Sequence, residues 1–347
     1  MINFLDKLFK RTHNLSHVSE KIRDLSKNTP VKKIFDLINN FSSESEIRYV
    51  GGCIRKIIKE EVVDDIDLAT NLNPQQVCDV LKKNNIKSYS LDSEILISKA
   101  INQKREFIIL NFNQDLSKQS ISNFKKLIDQ RSKGKPIAYL TKKKEFWKNT
   151  FSINEKVLIP RPDTEVVVKS VLDLTKNKTK LNLLEIGIGT GCILLSILNE
   201  KKGFYGTGID ISKECVDLSK INASKLGLSN RVNLFKSDVD NFINGKYDLV
   251  ISNPPYIKKI DLKYLEKDVV NFEPKIALDG GLEGLSEIRK VIKKTSELIK
   301  KNGKFFLEIA FDQKIQVKKM LTKNGFYIND VLKDLGNNDR CIISTKL

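Results

Sequence analysis

The sequence predicts an α/β protein. A doubly wound, mostly parallel sheet fills the C-terminal part, a small helical domain precedes it, and an incomplete α+β segment opens the chain. Three observations carry this reading. From about Lys180 short β-rich runs alternate with helical stretches, the pattern of a parallel sheet with helices on both faces. Between Leu91 and about residue 150 the apolar residues Leu91, Ile95, Leu96 and Ile109 stand near the helical period with polar residues between them, which suggests a helical bundle. A length of 347 residues corresponds to two or three domains at roughly 150 residues each.

Taken in order, the elements of the sheet are legible one by one. Leu181 to Ile186 is a continuous apolar run closed by glycine, as a strand buried on both faces should be. A helix follows from Gly191 to about Glu200, then a strand from Tyr205 to Asp210. The next helix runs from Ser212 to Leu226, with Ser212 suited to cap it, because a serine oxygen there can accept a free backbone N–H. Val232 to Phe235 and Tyr247 to Ser252 give the third and fourth strands. A helix near Leu285 to Lys300, a strand from Lys304 to Ile309 and a helix near Gln313 to Lys323 continue the alternation. Two terminal strands, near Phe326 to Val331 and Cys341 to Thr345, close it. No helix separates those two, so one is expected to lie antiparallel at the end of the sheet.

Composition narrows the function classes. Apolar residues make up 40% and charged residues 30%, which excludes a collagen-like, low-complexity or largely disordered chain. The five cysteines are scattered and never spaced C-x-x-C, which argues against a disulfide framework or zinc site and fits a reducing compartment. No stretch approaches the roughly 18 apolar residues of a membrane span, and Met1 to Arg11 has no long apolar core or small-residue cleavage site. The expectation is a soluble cytoplasmic protein without membrane association. The formal net charge is +18, and 15 basic against 12 acidic residues up to Ser90 leave +15 of it on the remainder. Such an excess favours weak association with RNA or the ribosome through phosphate contacts, although lysine-rich solvated faces would produce the same balance. His13 and His17 are the only histidines, so chemistry elsewhere proceeds without an imidazole base.

Two motifs carry chemistry. Glu185-Ile186-Gly187-Ile188-Gly189-Thr190-Gly191 leaves the first strand and enters the first helix; glycines at alternate positions let the backbone turn tightly and approach a ligand. The rhythm is not the dinucleotide G-x-G-x-x-G, since Gly191 follows Gly189 by two residues. It suits S-adenosylmethionine, which has no pyrophosphate, with Glu185 as an acid beneath the loop. Asp210 stands at the end of the second strand, nineteen residues after Gly191, where a carboxylate can accept from both ribose hydroxyls. Asn253-Pro254-Pro255-Tyr256 ends the fourth strand. Its prolines stiffen the loop and free its carbonyls, and the Asn amide offers an acceptor and a donor. Together these can hold both hydrogens of a planar NH2 group, which Tyr256 can stack on or screen from water. The tetrapeptide therefore suits methylation of an amide or of an exocyclic amino nitrogen of RNA or DNA, with positioning and desolvation supplying the rate. No metal is required by this chemistry.

From about Leu91 to Leu347, about three quarters of the chain, the sequence resembles the HemK/PrmC family. The resemblance extends to Leu91-Asp92-Ser93-Glu94-Ile95-Leu96, Gly134-Lys135-Pro136-Ile137-Ala138-Tyr139-Leu140 and Glu145-Phe146-Trp147. It continues through Leu158-Ile159-Pro160-Arg161-Pro162-Asp163-Thr164-Glu165, Phe272-Glu273-Pro274 and Leu335-Gly336-Asn337-Asn338-Asp339-Arg340. It implies a seven-stranded class I methyltransferase sheet that methylates the side-chain N5 of a glutamine in peptide chain release factors. By the same resemblance Gly187 to Gly191, with Ile188 and Thr190 between the glycines, wrap the methionine part of S-adenosylmethionine. Asp210 takes the ribose, Asp238-Val239 lies beside the adenine, and Asn253 to Tyr256 hold the glutamine. The family usually has a bulky aromatic where this chain has Val239. Glu145-Phe146-Trp147 and the Pro-rich segment correspond to the family's connecting hairpin, and the helical domain would grip the release factor.

The first residues read differently. Arg48-Tyr49-Val50-Gly51-Gly52-Cys53-Ile54-Arg55 followed by Asp65-Ile66-Asp67-Leu68-Ala69-Thr70 resembles the head of the poly(A) polymerase and tRNA nucleotidyltransferase family. There a Gly-Gly loop holds nucleotide phosphates and paired acids bind the catalytic metals. Lys56 stands where that family usually has aspartate, and the resemblance stops near Ser88. Residues 1–88 are therefore expected to be a truncated head without nucleotidyltransferase activity, with residual nucleotide transfer or RNA binding as alternatives. The expected domains are 1–88, a helical substrate-binding domain over 89–150, and a methyltransferase domain over 151–347.

Overall fold

The computed structural model describes residues 47–49, 68–70, 88–104, 107 and 117–347. The chain divides into two compact units at Lys133/Gly134.

In the first unit, strands β1 (Ile47–Tyr49) and β2 (Leu68–Thr70) pair antiparallel, with Arg48 opposite Ala69. Gly51, Gly52, Asp65 and Asp67 lie outside the described residues. Helix α1 (Tyr89–Ile101) ends where Asn102 turns left-handed and its N–H reaches the carbonyls of Ser98 and Lys99. Helix α2 (Lys118–Ser132) begins at Ser117, whose hydroxyl accepts the Ser120 N–H at 3.1 Å, an N-cap that satisfies one of the free amides of the first turn. Arg131 and Asp92 form a buried ion pair at 2.7 Å, and removing either partner would leave an uncompensated charge inside.

The second unit opens with a short helix, α3 (Ile137–Thr141), and then departs from the helical periodicity in favour of the hairpin that the family resemblance implied at Glu145-Phe146-Trp147. Lys143–Phe146 and Asn149–Ser152 form an antiparallel hairpin, β3 and β4. The cause is local. Trp147 sits at the turn with φ 54°, and the flanking Phe146 and Phe151 bury their rings edge to face, 6.3 Å between centroids. The Glu165 carboxylate accepts the Trp147 N–H at 2.7 Å, which ties the hairpin turn to helix α4 (Glu165–Leu174).

The main sheet has seven strands. β5 (Asn182–Ile186), β6 (Tyr205–Asp210), β7 (Val232–Lys236), β8 (Tyr247–Ser252) and β9 (Ile299–Glu308) are mutually parallel. β10 (Phe326–Lys333) and β11 (Asp339–Lys346) complete it in the order β10-β11-β9-β8-β5-β6-β7. The expected antiparallel strand exists, but it is not at the end of the sheet: β11 inserts between β9 and β10 and runs antiparallel to both. A hairpin whose second strand is the more apolar explains this, since Cys341, Ile342 and Ile343 are buried while β10 alternates toward solvent.

Side chains alternate across the strands and divide the core into two layers. Leu183, Leu249, Ile251, Phe306 and Ile343 face α4 and helix α5 (Cys192–Glu200), with Ala223 of helix α6 (Lys213–Lys225) in the same cluster. Leu184, Val250, Phe305, Leu307 and Ile342 face helices α8 (Ser286–Leu298) and α9 (Lys314–Lys323), which follow the short helix α7 (Lys267–Phe272). The buried residues Ile288, Val291, Ile292, Thr295 and Leu298 of α8 recur at helical spacing, a stripe that faces the sheet. Burial of each such large side chain stabilises the fold by about 1.5–3 kcal/mol. Strand order reverses between β5 and β8, each running outward from that pair, so a crevice opens at their carboxyl ends.

Candidate active site

The crevice holds a cavity of about 470 Å³, within the roughly 300–1,000 Å³ of small-molecule sites. Its walls include Glu185 to Thr190, Asp210, Asp238, Val239 and Asn253 to Pro255. The glycine loop, the acid after the second strand and the proline-braced loop, far apart in the chain, are therefore brought to one place.

The glycine loop is fixed by backbone and by two carboxylates. The N–H groups of Gly187 and Ile188 both reach the Ile209 carbonyl at 2.9 Å. Glu185, fully buried, accepts the Leu194 N–H at 2.9 Å in the first turn of α5. Burial pushes its carboxyl well above the usual range, against the lowering effect of that hydrogen bond. Asp210 accepts the Gly189 N–H at 3.0 Å on one oxygen and the Ser212 N–H at 2.9 Å on the other. Burial raises its carboxyl too, opposed by these amides. Asp210 itself lines the cavity, with Cys215 and the Ile211 backbone also bonded to its carboxyl. Gly191, at φ 79°, has no room for a side chain: a Cβ there would lie 2.8 Å from Leu195 Cδ1. The Ile188 side chain packs into the core over Gly208, and Thr190 is buried, its hydroxyl accepting the Cys192 N–H at 3.3 Å.

Asp238 caps the short turn after β7 by accepting the Asp240 N–H at 2.9 Å, with Val239 packed against the core beside it. Asn253 stands across the crevice. A Cβ on Gly187 would come within 3.9 Å of the Asn253 carbonyl oxygen, and the Asn253 Nδ2 donates to the Thr164 hydroxyl at 3.4 Å. Tyr256 is absent from the lining of this cavity. It lines a second one, also about 470 Å³, with Asn253, Pro254, Arg161, Leu265 and Val269. Asn253 and Pro254, with Leu158, Ile159, Arg161 and Ala277, are thus a wall common to both. Tyr256 turns its hydroxyl to the buried Glu308, 3.2 Å away.

Several residues that hold the site were missed in the sequence. Ser219 and Asn222 lie on the buried face of α6. Ser219 donates to the Gly189 carbonyl at 2.8 Å, and Asn222 bonds the Thr190 carbonyl at 2.9 Å and both backbone groups of Ser152. Two polar residues three apart on an otherwise apolar helix face are a readable signal. Glu273 accepts the Ile159 N–H at 3.2 Å and pairs with Arg161 at 2.5 Å, which fixes the segment before Thr164. Among the described residues no helix is long and apolar enough to cross a membrane.

Residues 75–141 match the PrmC N-terminal domain and residues 164–271 the methyltransferase small domain. The first match begins ahead of Leu91 and ends where α3 gives way to the hairpin. The chain is 33% identical over 269 residues to the release factor glutamine methyltransferase of Caulobacter vibrioides, covering 77% of this chain and 93% of that protein. It is 37% identical over 255 residues to the protein of that name from Buchnera aphidicola subsp. Schizaphis graminum, covering 74% and 92%. It is 34% identical over 290 residues to the bifunctional methyltransferase of Rickettsia conorii, covering 76% of this chain but 55% of that protein. The chain spans about half the length of these bifunctional relatives.

Proposed function

We propose that this chain, which belongs to the release factor glutamine methyltransferase family, moves the methyl group of S-adenosylmethionine to the side-chain N5 of a glutamine in peptide chain release factors. The observation that carries the reading is the shared wall: Asn253 and Pro254 border two cavities of similar size, and only one of these is lined by the glycine loop and Asp210. One cavity suits the cofactor and the other a peptide segment, with the amide of Asn253 between them.

The residues present fit the cofactor. Asp210 puts a carboxyl on the cavity wall where ribose hydroxyls can compete for its oxygens, the glycine loop leaves space without Cβ atoms, and Ser237, Asp238 and Val239 line the same cavity where a flat base can lie. When bound, S-adenosylmethionine supplies an electrophilic methyl carbon. The chain's own task is to present a weakly basic amide nitrogen to it. With Nδ2 engaged by Thr164, the Asn253 Oδ1 is free to accept an N–H of the substrate carboxamide. Backbone carbonyls of the proline-braced loop can accept the other. Held at both hydrogens, the nitrogen keeps a single orientation, and a dry pocket removes the water that would otherwise solvate it. Neither step requires a metal or an imidazole.

Purified protein, labelled cofactor and a release factor test the reading: label is expected on one glutamine of the factor, and its absence there would end the proposal. The basic excess of the chain favours a second reading, amino-group methylation of RNA or DNA, and label appearing on stripped RNA instead of release factor would establish it. The same excess supports a weak association with RNA or the ribosome. Division of labour follows the chain: residues 1–88 as a truncated nucleotidyltransferase-like head, 89–150 as the release-factor grip, and 151–347 as the methyl-transferring domain.

A further inference from the structure

Behind the proline-braced loop lies a carboxylate that the reading above leaves unused. Glu308 is the last residue of β9 and is 2% exposed. It stands opposite Cys341 in the β9–β11 register. Its Oε1 accepts the Tyr256 hydroxyl at 3.2 Å, while Oε2 has no hydrogen-bond partner. The groups that face it come from every neighbouring element. Thr164 and Asp163 approach from the turn before α4, Arg340 and Cys341 from β11, Tyr256 from the loop and Cys192 from α5. Of these the Thr164 hydroxyl is the strongest to favour the charged form, ahead of Arg340 and Tyr256. Arg340 is itself occupied by a two-nitrogen contact with Asp334, at 3.1 and 2.7 Å. A carboxylate at the end of a buried strand, incompletely paired, is costly, and such arrangements gather at functional sites.

Resting on the reading of Asn253 as the amide holder, we propose that Glu308 is a positioning residue for methyl transfer. Its carboxylate draws the hydroxyl hydrogens of Thr164 and Tyr256 toward itself and so leaves the Thr164 oxygen to accept from Asn253 Nδ2. That chain fixes which end of the Asn253 amide faces the substrate. A protonated Glu308 is a donor to Thr164; the Thr164 hydrogen is then turned from Glu308 toward Asn253, where it opposes the Nδ2–H of the 3.4 Å contact and favours the flipped amide with Oδ1 toward Thr164. Burial pushes the Glu308 carboxyl up to about 7, so the switch between these two states falls near neutrality. The productive state is the ionised one, and turnover falls as pH drops through that value.

The test compares wild type, Glu308→Gln and Thr164→Val in release-factor methylation, from one pH unit below to one above neutrality, with cofactor affinity measured on each. Wild-type kcat is expected to lose its acid limb in Glu308→Gln, which holds a low and flat value about tenfold below the wild-type plateau, the scale of one misdirected hydrogen bond. Cofactor affinity stays within about twofold. Thr164→Val gives a similar loss, and the double variant is no worse than either, since both remove the same link. If Glu308→Gln does not fold, as judged by lost cofactor binding, Thr164→Val decides alone: a wild-type kcat and acid limb in it overturn the proposal. Additive losses, or an acid limb unchanged in both variants, overturn it as well while wild-type labelling of the release factor leaves the methyltransferase reading standing. A wild type that labels no release factor at any pH removes that reading, and this proposal with it.

Discussion

The two cavities that meet at Asn253 are built by different means. The first is held largely through main-chain groups of the glycine loop, which the side chains of Ser219 and Asn222 also clasp. Glu185 and Asp210 each accept backbone N–H groups from the loop or helix start beside them, and the loop's own amides bond the adjoining strand. At the wall they share, side chains from distant segments take over: Thr164, which lines the first cavity, accepts from Asn253, and Tyr256, which lines the second, donates to Glu308. The first arrangement can bind a ligand of constant shape. The second suits the proposed task of setting the direction of a single amide, which is what a reaction limited by orientation needs.

Substitutions should separate these two regions. Asn253→Ala should lower kcat by about 10²–10³-fold, as loss of a group aimed at the reacting atoms does elsewhere, with cofactor Kd moving less than about threefold; equilibrium dialysis alongside single-turnover kinetics reads both. Asp210→Ala should show the reverse, cofactor Kd rising about 10- to 100-fold as buried amides lose their acceptor, with kcat at saturation changing far less. Equal losses of cofactor affinity in the two variants would erase the distinction between the cavities.

Smaller effects sharpen the contrast. Gly191→Ala forces a side chain into the left-handed region and against Leu195, and should destabilise the protein by about 1–2 kcal/mol, visible as a lowered Tm with the second cavity's chemistry intact. Glu185→Gln probes burial. The Glu185 carboxyl lies well above its ordinary value in the fold, so the native state keeps a proton that the unfolded chain releases. Its contribution to stability is then present at acid pH and declines as pH rises above the ordinary carboxylate range. Urea unfolding across pH should show a steeper decline for wild type than for Glu185→Gln; identical slopes would mean that burial does not act on this group.

What could be read in the sequence follows the same division. The alternation of strands and helices, Ser212 as a cap, and the glycine loop with Asp210 were legible because each is a local pattern. The cap is present, with Ser212 accepting the Cys215 N–H at 3.2 Å. The β3–β4 hairpin escaped the periodicity reading because its pairing rests on two phenylalanines and on Glu165, eighteen residues beyond Trp147. The place of β11 inside the sheet is decided by long-range pairing to β9, which no local pattern encodes. Nothing local marks Glu308, one polar residue within the expected strand from Lys304 to Ile309; only the fold sets it behind Tyr256.

The central claim is that a carboxamide nitrogen is held at the Asn253 wall and methylated there. Mass spectrometry of a release factor incubated with S-adenosylmethionine and either wild-type protein or Asn253→Ala tests it most directly. The account predicts one added methyl on the side-chain nitrogen of a single glutamine with wild type, and almost none with the variant. An unmodified factor under conditions where the cofactor binds, or equal modification by both proteins, would contradict it.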